Sequence, residues 1–383
     1  MGLKNSPSTS VEGENVEQRR LALFVILLRY SMDSYIPTQG LQPDKPDARD
    51  LLYEDVLGAD TSSVDFEKGF HLFEELGLSL LKEDQGRSYS CVGQATAQHV
   101  RAWRKKLFGE DLQFSSKFIY SQISLGMYVG ASIRDGVKLV SGKGVSLEEL
   151  LRSYESGKPP SEAYMYSKEG LTPDIFEKAL PFDTFNYRSI PGSTSNISLF
   201  AHAIENNCGV VAGFIGTNPG WMRDMILYPQ GVEEKWGHCV WLIAYGMYQG
   251  KKCVFTPNSW GGRYTIKEGR WKGLQAIPVD YFEAAPQTAV GPVPGGYVFT
   301  GWVLVPDEKL TPQQRTMDFL KKNEGKLVQD VEQTGGFGIV INGKIQVATP
   351  DRYAALCLTT MMRQKMGVPV PKDLWNDSPK ENF

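Results

Sequence analysis

Between a polar loop and a glycine, apolar positions recur at the helical interval: Val92, Ala95, His99 and Val100, Trp103, Leu107, then Gly109. That spacing predicts one long helix that starts at or near Cys91 and stops at Gly109. Upstream, residues 16–32 read as a helix, 33–50 as an extended connector rich in Pro, Gly and Asp, and 64–82 as a helix or a helix plus a strand. A second helix starts over Phe118–Gln122, and Gly130–Val137 leads into a third that ends near Gly142. From about residue 208 the pattern changes. Cys208–Ile215, Gly237–Gly246 and Cys253–Gly262 are apolar on both faces, as strands buried on both sides are. Met247–Gly250 between the last two reads as a hairpin turn. A turn there sets His238 opposite Ser259, or opposite Asn258 with a one-residue slip. Pro286–Gly296 reads as a loop and Phe299–Val305 as a last strand.

Beyond that strand the chain changes style. Pro312–Lys322 is helical in pattern, Phe337–Ile341 and Lys344–Val347 flank an Asn342-Gly343 turn of type I′ character, and Thr349-Pro350-Asp351 caps a helix reaching Met366. The expected organisation is an N-terminal arm over 1–46, a main domain over 47–306 with a helical and a strand half, and a small hairpin-and-helix module over 307–383.

Composition narrows the function classes. A net charge of −3 over 383 residues leaves no footprint for nucleic acid or an anionic membrane. The cluster Arg101, Arg104, Lys105, Lys106 reads as a solvated helix face. The apolar run Leu21–Leu28 is far too short to span a bilayer and reads as a buried helix. No secretory signal or membrane span is evident, which favours a cytoplasmic or virion-associated protein. The five cysteines, Cys91, Cys208, Cys239, Cys253 and Cys357, are too few and too scattered for a disulfide scaffold, and no Cys/His grouping suggests a metal. No cofactor is expected.

The chemistry sits where the long helix starts. Unpaired N–H groups and the dipole at a helix N-terminus favour a thiolate at Cys91. Gln85, upstream in the same loop, brings an amide donor of the kind that holds an oxyanion. Of the four histidines, His71, His99, His202 and His238, only His238 has a carboxamide placed near it by the hairpin, Asn258. His99 and His202 read as ordinary residues, and Cys239 and Cys253 as structural ones. A thiol, an imidazole and a carboxamide are the parts of a nucleophile, a base and a group that orients the base.

Taken in order, Gln85-Gly86, Cys91 opening a helix, Gly237-His238 on a strand and Asn258-Ser259-Trp260-Gly261 resemble the papain-like cysteine peptidases. Pro46–Leu51 resembles the entry segment of their prokaryotic and viral branch. The resemblance covers about residues 46 to 306. It implies an α+β fold with a helical lobe and a β-barrel-like lobe, and a cysteine endopeptidase acting on polypeptides through a thioacyl-enzyme. It assigns Cys91 as nucleophile, His238 as base, Asn258 as its orienter and Gln85 as oxyanion donor. Trp260 would shield the His–Asn contact, and Gly130 would present backbone to substrate. Two positions depart from the pattern. Ser88 stands where many relatives have a bridging cysteine, and Gly237 where several have an aspartate. No inhibitory pro-helix pattern appears before Asp47, so the arm is expected to be structural rather than to cover the cleft. Residues 307–383 are a candidate surface for a protein partner. Two other readings use the same residues: a structural, virion or binding component that keeps the fold, and an acyltransferase on the same triad.

Overall fold

The computed structural model describes residues 40–306, apart from 45–46, 48, 55–59, 155–157, 193–195, 231–234, 285–286, 289–290 and 293–296, and the backbone of three strands between 328 and 349. A two-residue strand, β1 (Phe70–His71), leads into a short helix, α1 (Leu72–Leu76). The second helix, α2 (Cys91–Phe108), is the one the apolar spacing predicts. It ends as expected, with Gly109 at φ 73° and its N–H on the Lys105 carbonyl at 3.0 Å. Every α2 residue from Cys91 to Arg104 is buried, so the helix is central rather than half-exposed.

That burial corrects the reading of the basic cluster. Arg101 and Arg104 are buried, not solvated. Arg101 Nε donates to Asp111 at 2.6 Å and Nη2 to the Ser79 carbonyl at 3.1 Å, and Arg104 pairs with Glu110. Only the cluster's lysines keep to the surface side. Around α2 pack α3 (Ser116–Ile123) and α4 (Ile133–Lys143), with α5 (Glu162–Tyr166) against α3. Contact with α3 is close: a Cβ on Gly93 would lie 2.7 Å from the Ser116 carbonyl oxygen. Four helices follow in the chain: α6 (Pro173–Ala179), α7 (Ile197–Asn206), α8 (Asn218–Trp221) and α9 (Asp280–Glu283).

The main-domain strands form two open four-stranded antiparallel sheets. One is ordered β2 (Phe185–Pro191), β10 (Val298–Pro306), β3 (Val210–Gly216), β4 (Trp236–Leu242). The other is ordered β1, β5 (Ala244–Tyr248), β6 (Lys251–Thr256), β7 (Gln275–Pro278). A two-residue pair, β8 (Gln287–Thr288) with β9 (Gly291–Pro292), stands apart from both. The strand lobe is thus built from two packed sheets, and among the described residues neither closes into a barrel.

Ile243 is the physical reason. The run Gly237–Gly246 is not one strand. It breaks at Ile243, whose N–H goes to the Phe255 carbonyl at 2.9 Å and whose carbonyl takes the Leu72 N–H at 3.0 Å. The chain thus crosses from one sheet to the other in a single residue. The hairpin turn is Gln249-Gly250, at φ 48° and 76°, pairing Tyr248 with Lys251. This register is two residues from the expected one, and β4 does not pair with β6. Asn258 lies beyond the end of β6 instead of facing His238 on a ladder.

Towards the C-terminus β11 (Val328–Gln333), β12 (Gly336–Ile341) and β13 (Lys344–Thr349) make a three-stranded antiparallel sheet. The Ile341–Lys344 register places the predicted hairpin; β11 was not foreseen. The helices expected over 16–32, Pro312–Lys322 and up to Met366 lie outside the described residues. No helix among the described residues is long and apolar enough to cross a membrane.

One core histidine gives the fold a pH signature. His99, on α2, is fully buried, donates from Nε2 to the Asn207 carbonyl at 2.8 Å, and is pushed down to about 4 by burial. The unfolded chain takes up this proton near pH 6.5 and the folded one does not, so stability is full above that value and falls as pH drops towards 4. Glu148, pushed up to about 7 by burial, acts in the opposite sense, so the comparison needs a variant. Between about pH 7.5 and about pH 5 His99→Gln should lose about 2 kcal/mol less stability than wild type, read from urea midpoints.

Candidate active site

Cys91 is the first residue of α2, and Ser90 in front of it makes no side-chain cap. Ser90 Oγ instead shares a hydrogen bond with Ser88 Oγ at 2.7 Å. The leading N–H groups of the helix are therefore not taken by a capping side chain. Cys91 is fully buried, and the helix it opens packs against β4, the strand that carries His238 and Cys239. Burial pushes the thiol up to about 12. Backbone N–H groups of Cys239, Val92 and Cys91 pull it down, and the Glu162 carboxylate adds to the rise. In this buried arrangement desolvation opposes the thiolate-favouring helix terminus and outweighs it.

A short main-chain ladder joins the two halves of the site. Gln85 N–H donates to the Ser259 carbonyl at 2.9 Å and Gly261 N–H to the Glu83 carbonyl at 2.7 Å. The Gln85 side chain is fully buried; its Nε2 donates to the Ser88 carbonyl at 2.9 Å and its Oε1 accepts from Ser259 Oγ at 2.5 Å. The loop that ends on Cys91 is thereby tied to the loop that carries Asn258.

His238 stands on β4 with Nε2 at 2.9 Å from Asn258 Oδ1. Its ring is boxed in by indoles. Trp260 stacks on it at 4.8 Å and 25°, while Trp221 and Trp236 meet it edge-on at 5.4 and 6.0 Å. Burial pushes the imidazole down to about 4 against the upward pull of Asn258, and Nδ1 has no hydrogen-bond partner. Asn258 adopts φ 52°, a left-handed conformation that asparagine tolerates better than most residues. Its Oδ1 also accepts the Ser259 N–H at 2.7 Å, and its Nδ2 donates to Gln275 at 2.5 Å.

Residues 40–42 run through the cleft between these parts. Leu41 N–H donates to the Gly237 carbonyl at 3.3 Å, Gln42 N–H to the Ala131 carbonyl at 2.9 Å, and Ala131 N–H to the Gly40 carbonyl at 2.9 Å. The Leu41 side chain is buried over Gly213, where a Cβ would lie 2.5 Å from it, beside Ile133 and Phe299. Gly130, at φ 88°, has no room for a Cβ, which would meet the Gly40 carbonyl oxygen at 2.0 Å. Gly130 thus gives clearance, and Ala131 makes the hydrogen bonds. The expectation of a purely structural arm is corrected here: its last described stretch occupies the cleft.

Of the residues singled out in the sequence, the structure brings His238, Asn258 and Trp260 together and sets Cys91 and Gln85 on the facing half. Sequence reasoning missed Gln275, Trp221 and Trp236, which are far apart in sequence and carry no motif. It also missed Glu162, whose buried carboxylate accepts the N–H of Tyr89 at 2.7 Å and of Tyr128 at 3.0 Å and the Tyr120 hydroxyl at 2.8 Å. Glu162 therefore joins the Cys91 loop to the Gly130 loop. Among the described residues no group of three or more His, Cys, Asp or Glu is placed to hold a metal ion.

No family model matches the chain, and neither does any curated protein sequence. Solved structures do. Xylellain, a cysteine protease from Xylella fastidiosa, is similar at TM-score 0.56 and 19% identity, over 72% of this chain and 100% of that one. Digestive procathepsin L2 from Tenebrio molitor larval midgut is similar at 0.50 and 18%, over 75% and 90%. The fold is papain-like. In a papain-like frame the departures from the expected barrel are modest. The helical lobe carries Cys91 and Gln85, the strand lobe carries His238 on β4 and Asn258 in the loop after β6, and the cleft between them holds residues 40–42.

Proposed function

We propose that this chain is a cysteine peptidase that hydrolyses peptide bonds through a thioacyl-enzyme. The observation that carries the reading is His238 held by Asn258 at 2.9 Å under Trp260, with Nδ1 left without a hydrogen-bond partner, on the strand that packs against the helix Cys91 opens. Asn258 accepts from Nε2, so Nδ1 carries the lone pair that takes the thiol proton. The Cys91 sulfur then attacks the substrate carbonyl carbon. The Gln85 side-chain amide and the Cys91 backbone N–H hold the resulting oxyanion. Collapse of the intermediate expels the amine, which takes its proton from imidazolium His238. Water, deprotonated by the same ring, hydrolyses the thioester and restores the thiol. Trp260, Trp221 and Trp236 keep bulk water from the His–Asn hydrogen bond.

The test is a mass-spectrometric digest of a peptide library by the full chain and by Cys91→Ala. New termini in the wild-type digest alone are expected. Identical fragments from both proteins would overturn the reading, and so would amide products formed in preference to acids when a primary amine is added, which would mark an acyltransferase.

A further inference from the structure

Asn258 presents its oxygen to His238 and its nitrogen to Gln275, and the two ends of a carboxamide are nearly the same shape. Something must choose between them. Gln275 opens β7 and is paired with Thr256, two residues before Asn258. Its Nε2 donates to two main-chain carbonyls, Trp221 at 2.9 Å and Arg223 at 2.7 Å. Those carbonyls only accept, so the Gln275 NH₂ must face them and its Oε1 must face Asn258. An acceptor there obliges Asn258 to turn its NH₂ towards Gln275, at 2.5 Å, and its oxygen towards His238. Oxygen opposite Nε2 obliges that nitrogen to carry the proton, which leaves the lone pair on Nδ1.

The relay starts from fixed backbone. Ala276 N–H donates to the Asp224 carbonyl and Ile226 N–H to the Ala276 carbonyl, both at 2.8 Å, which clamps the 221–226 loop along β7. The Asn258 N–H is held by Thr256 Oγ1 at 3.0 Å. Gln275 and His238 are fully buried and Asn258 is 6% exposed, so water does not compete for these donors and acceptors.

We infer that Gln275 is a positioning residue that sets the tautomer of His238 through Asn258, starting from the carbonyls of Trp221 and Arg223. This rests on the reading of His238 as the base. With Gln275 gone, the Ser259 N–H at 2.7 Å is the one remaining donor that holds the Asn258 oxygen in place, and the Asn258 NH₂ loses the acceptor that keeps it from turning towards Nε2. His238 then holds its proton on Nδ1 and has no lone pair there for the thiol.

The experiment follows the ring directly. Nitrogen-15 NMR of the full chain reads the tautomer of each of the four histidines, with His238 assigned by its loss in His238→Ala. Wild type is expected to show His238 protonated on Nε2. Gln275→Met keeps the length and removes the acceptor; it should shift His238 towards the Nδ1–H form. It should also lower kcat by on the order of tenfold to 10³-fold at unchanged KM. Gln275→Glu keeps an acceptor towards Asn258 and should retain the wild-type tautomer, even at some cost in stability. A folded Gln275→Met with wild-type tautomer and kcat overturns the inference. So does a Gln275→Glu that loses the tautomer, a result that decides the matter even if the Met variant fails to fold. If the chain shows no peptidase activity at all, the NMR comparison still answers the question about Gln275, and only the functional reading fails.

Discussion

Leu41→Asp is expected to raise the rate at which iodoacetamide alkylates Cys91 by on the order of 10²–10³-fold: burying a leucine is worth roughly 1.5–3 kcal/mol, and an aspartate in its place adds a cost of similar size. Cys91 is fully buried, and the strap of residues 40–42 that crosses its cleft is held by a few main-chain hydrogen bonds, one bond from Gln42 Nε2 to the Val129 carbonyl at 2.6 Å, and this one apolar side chain. Gly40 passes against the Tyr89 carbonyl, two residues before Cys91, and Leu41 is bonded to the carbonyl just before His238. Releasing the strap opens the seam between nucleophile and base. It also rehydrates both groups, which lowers the thiol from about 12 and raises the imidazole from about 4. Timed mass spectrometry of the Cys91 peptide in the full chain reads the rate. An unchanged rate in a folded Leu41→Asp would show that residues 40–42 do not govern access.

Gln85→Ala should lower turnover by on the order of 10²–10³-fold with little change in KM, because the lost donor matters once charge develops on the substrate oxygen. The side chain also holds the Ser88 carbonyl and Ser259 Oγ, so part of any loss is structural. Ser259→Ala separates the two: it removes the partner of Gln85 Oε1 and leaves the amide in place, and its effect on turnover should be much the smaller. If Gln85→Ala weakens binding and spares turnover, Gln85 contacts the ground state and the oxyanion assignment fails.

What the sequence made legible was local. The α2 helix was readable because its start, its apolar interval and its Gly109 stop all agree, and the C-terminal hairpin because Asn342-Gly343 specifies its own turn. The Gln249-Gly250 turn was located only to within two residues, since Met247, Tyr248 and the two that follow offer several registers and only the sheet partners select one. The crossing at Ile243 was invisible. An unbroken apolar run looks the same whether it serves one sheet or two. Arg101 and Arg104 misled because a basic cluster carries no sign of the carboxylates, Asp111 and Glu110, that return from the next loop. Gln275 sits in a four-residue strand where a lone polar residue signals nothing. The strap went unseen because its grip is mostly backbone, which any sequence provides.

The ladder between the Gln85 and Asn258 loops has a consequence for the life of the chain before it is complete. Gln85 and its partner Ser259 are 174 residues apart, and Asn258 is held by a residue a further 17 along. On a ribosome the nucleophile helix emerges long before the strands that supply its base and orienter. Contacts of such separation form late in folding. A growing or half-folded chain therefore has Cys91 without the His238–Asn258–Gln275 relay, which is complete only when β7 docks, by which time residues 40–42 have long been available to fill the cleft.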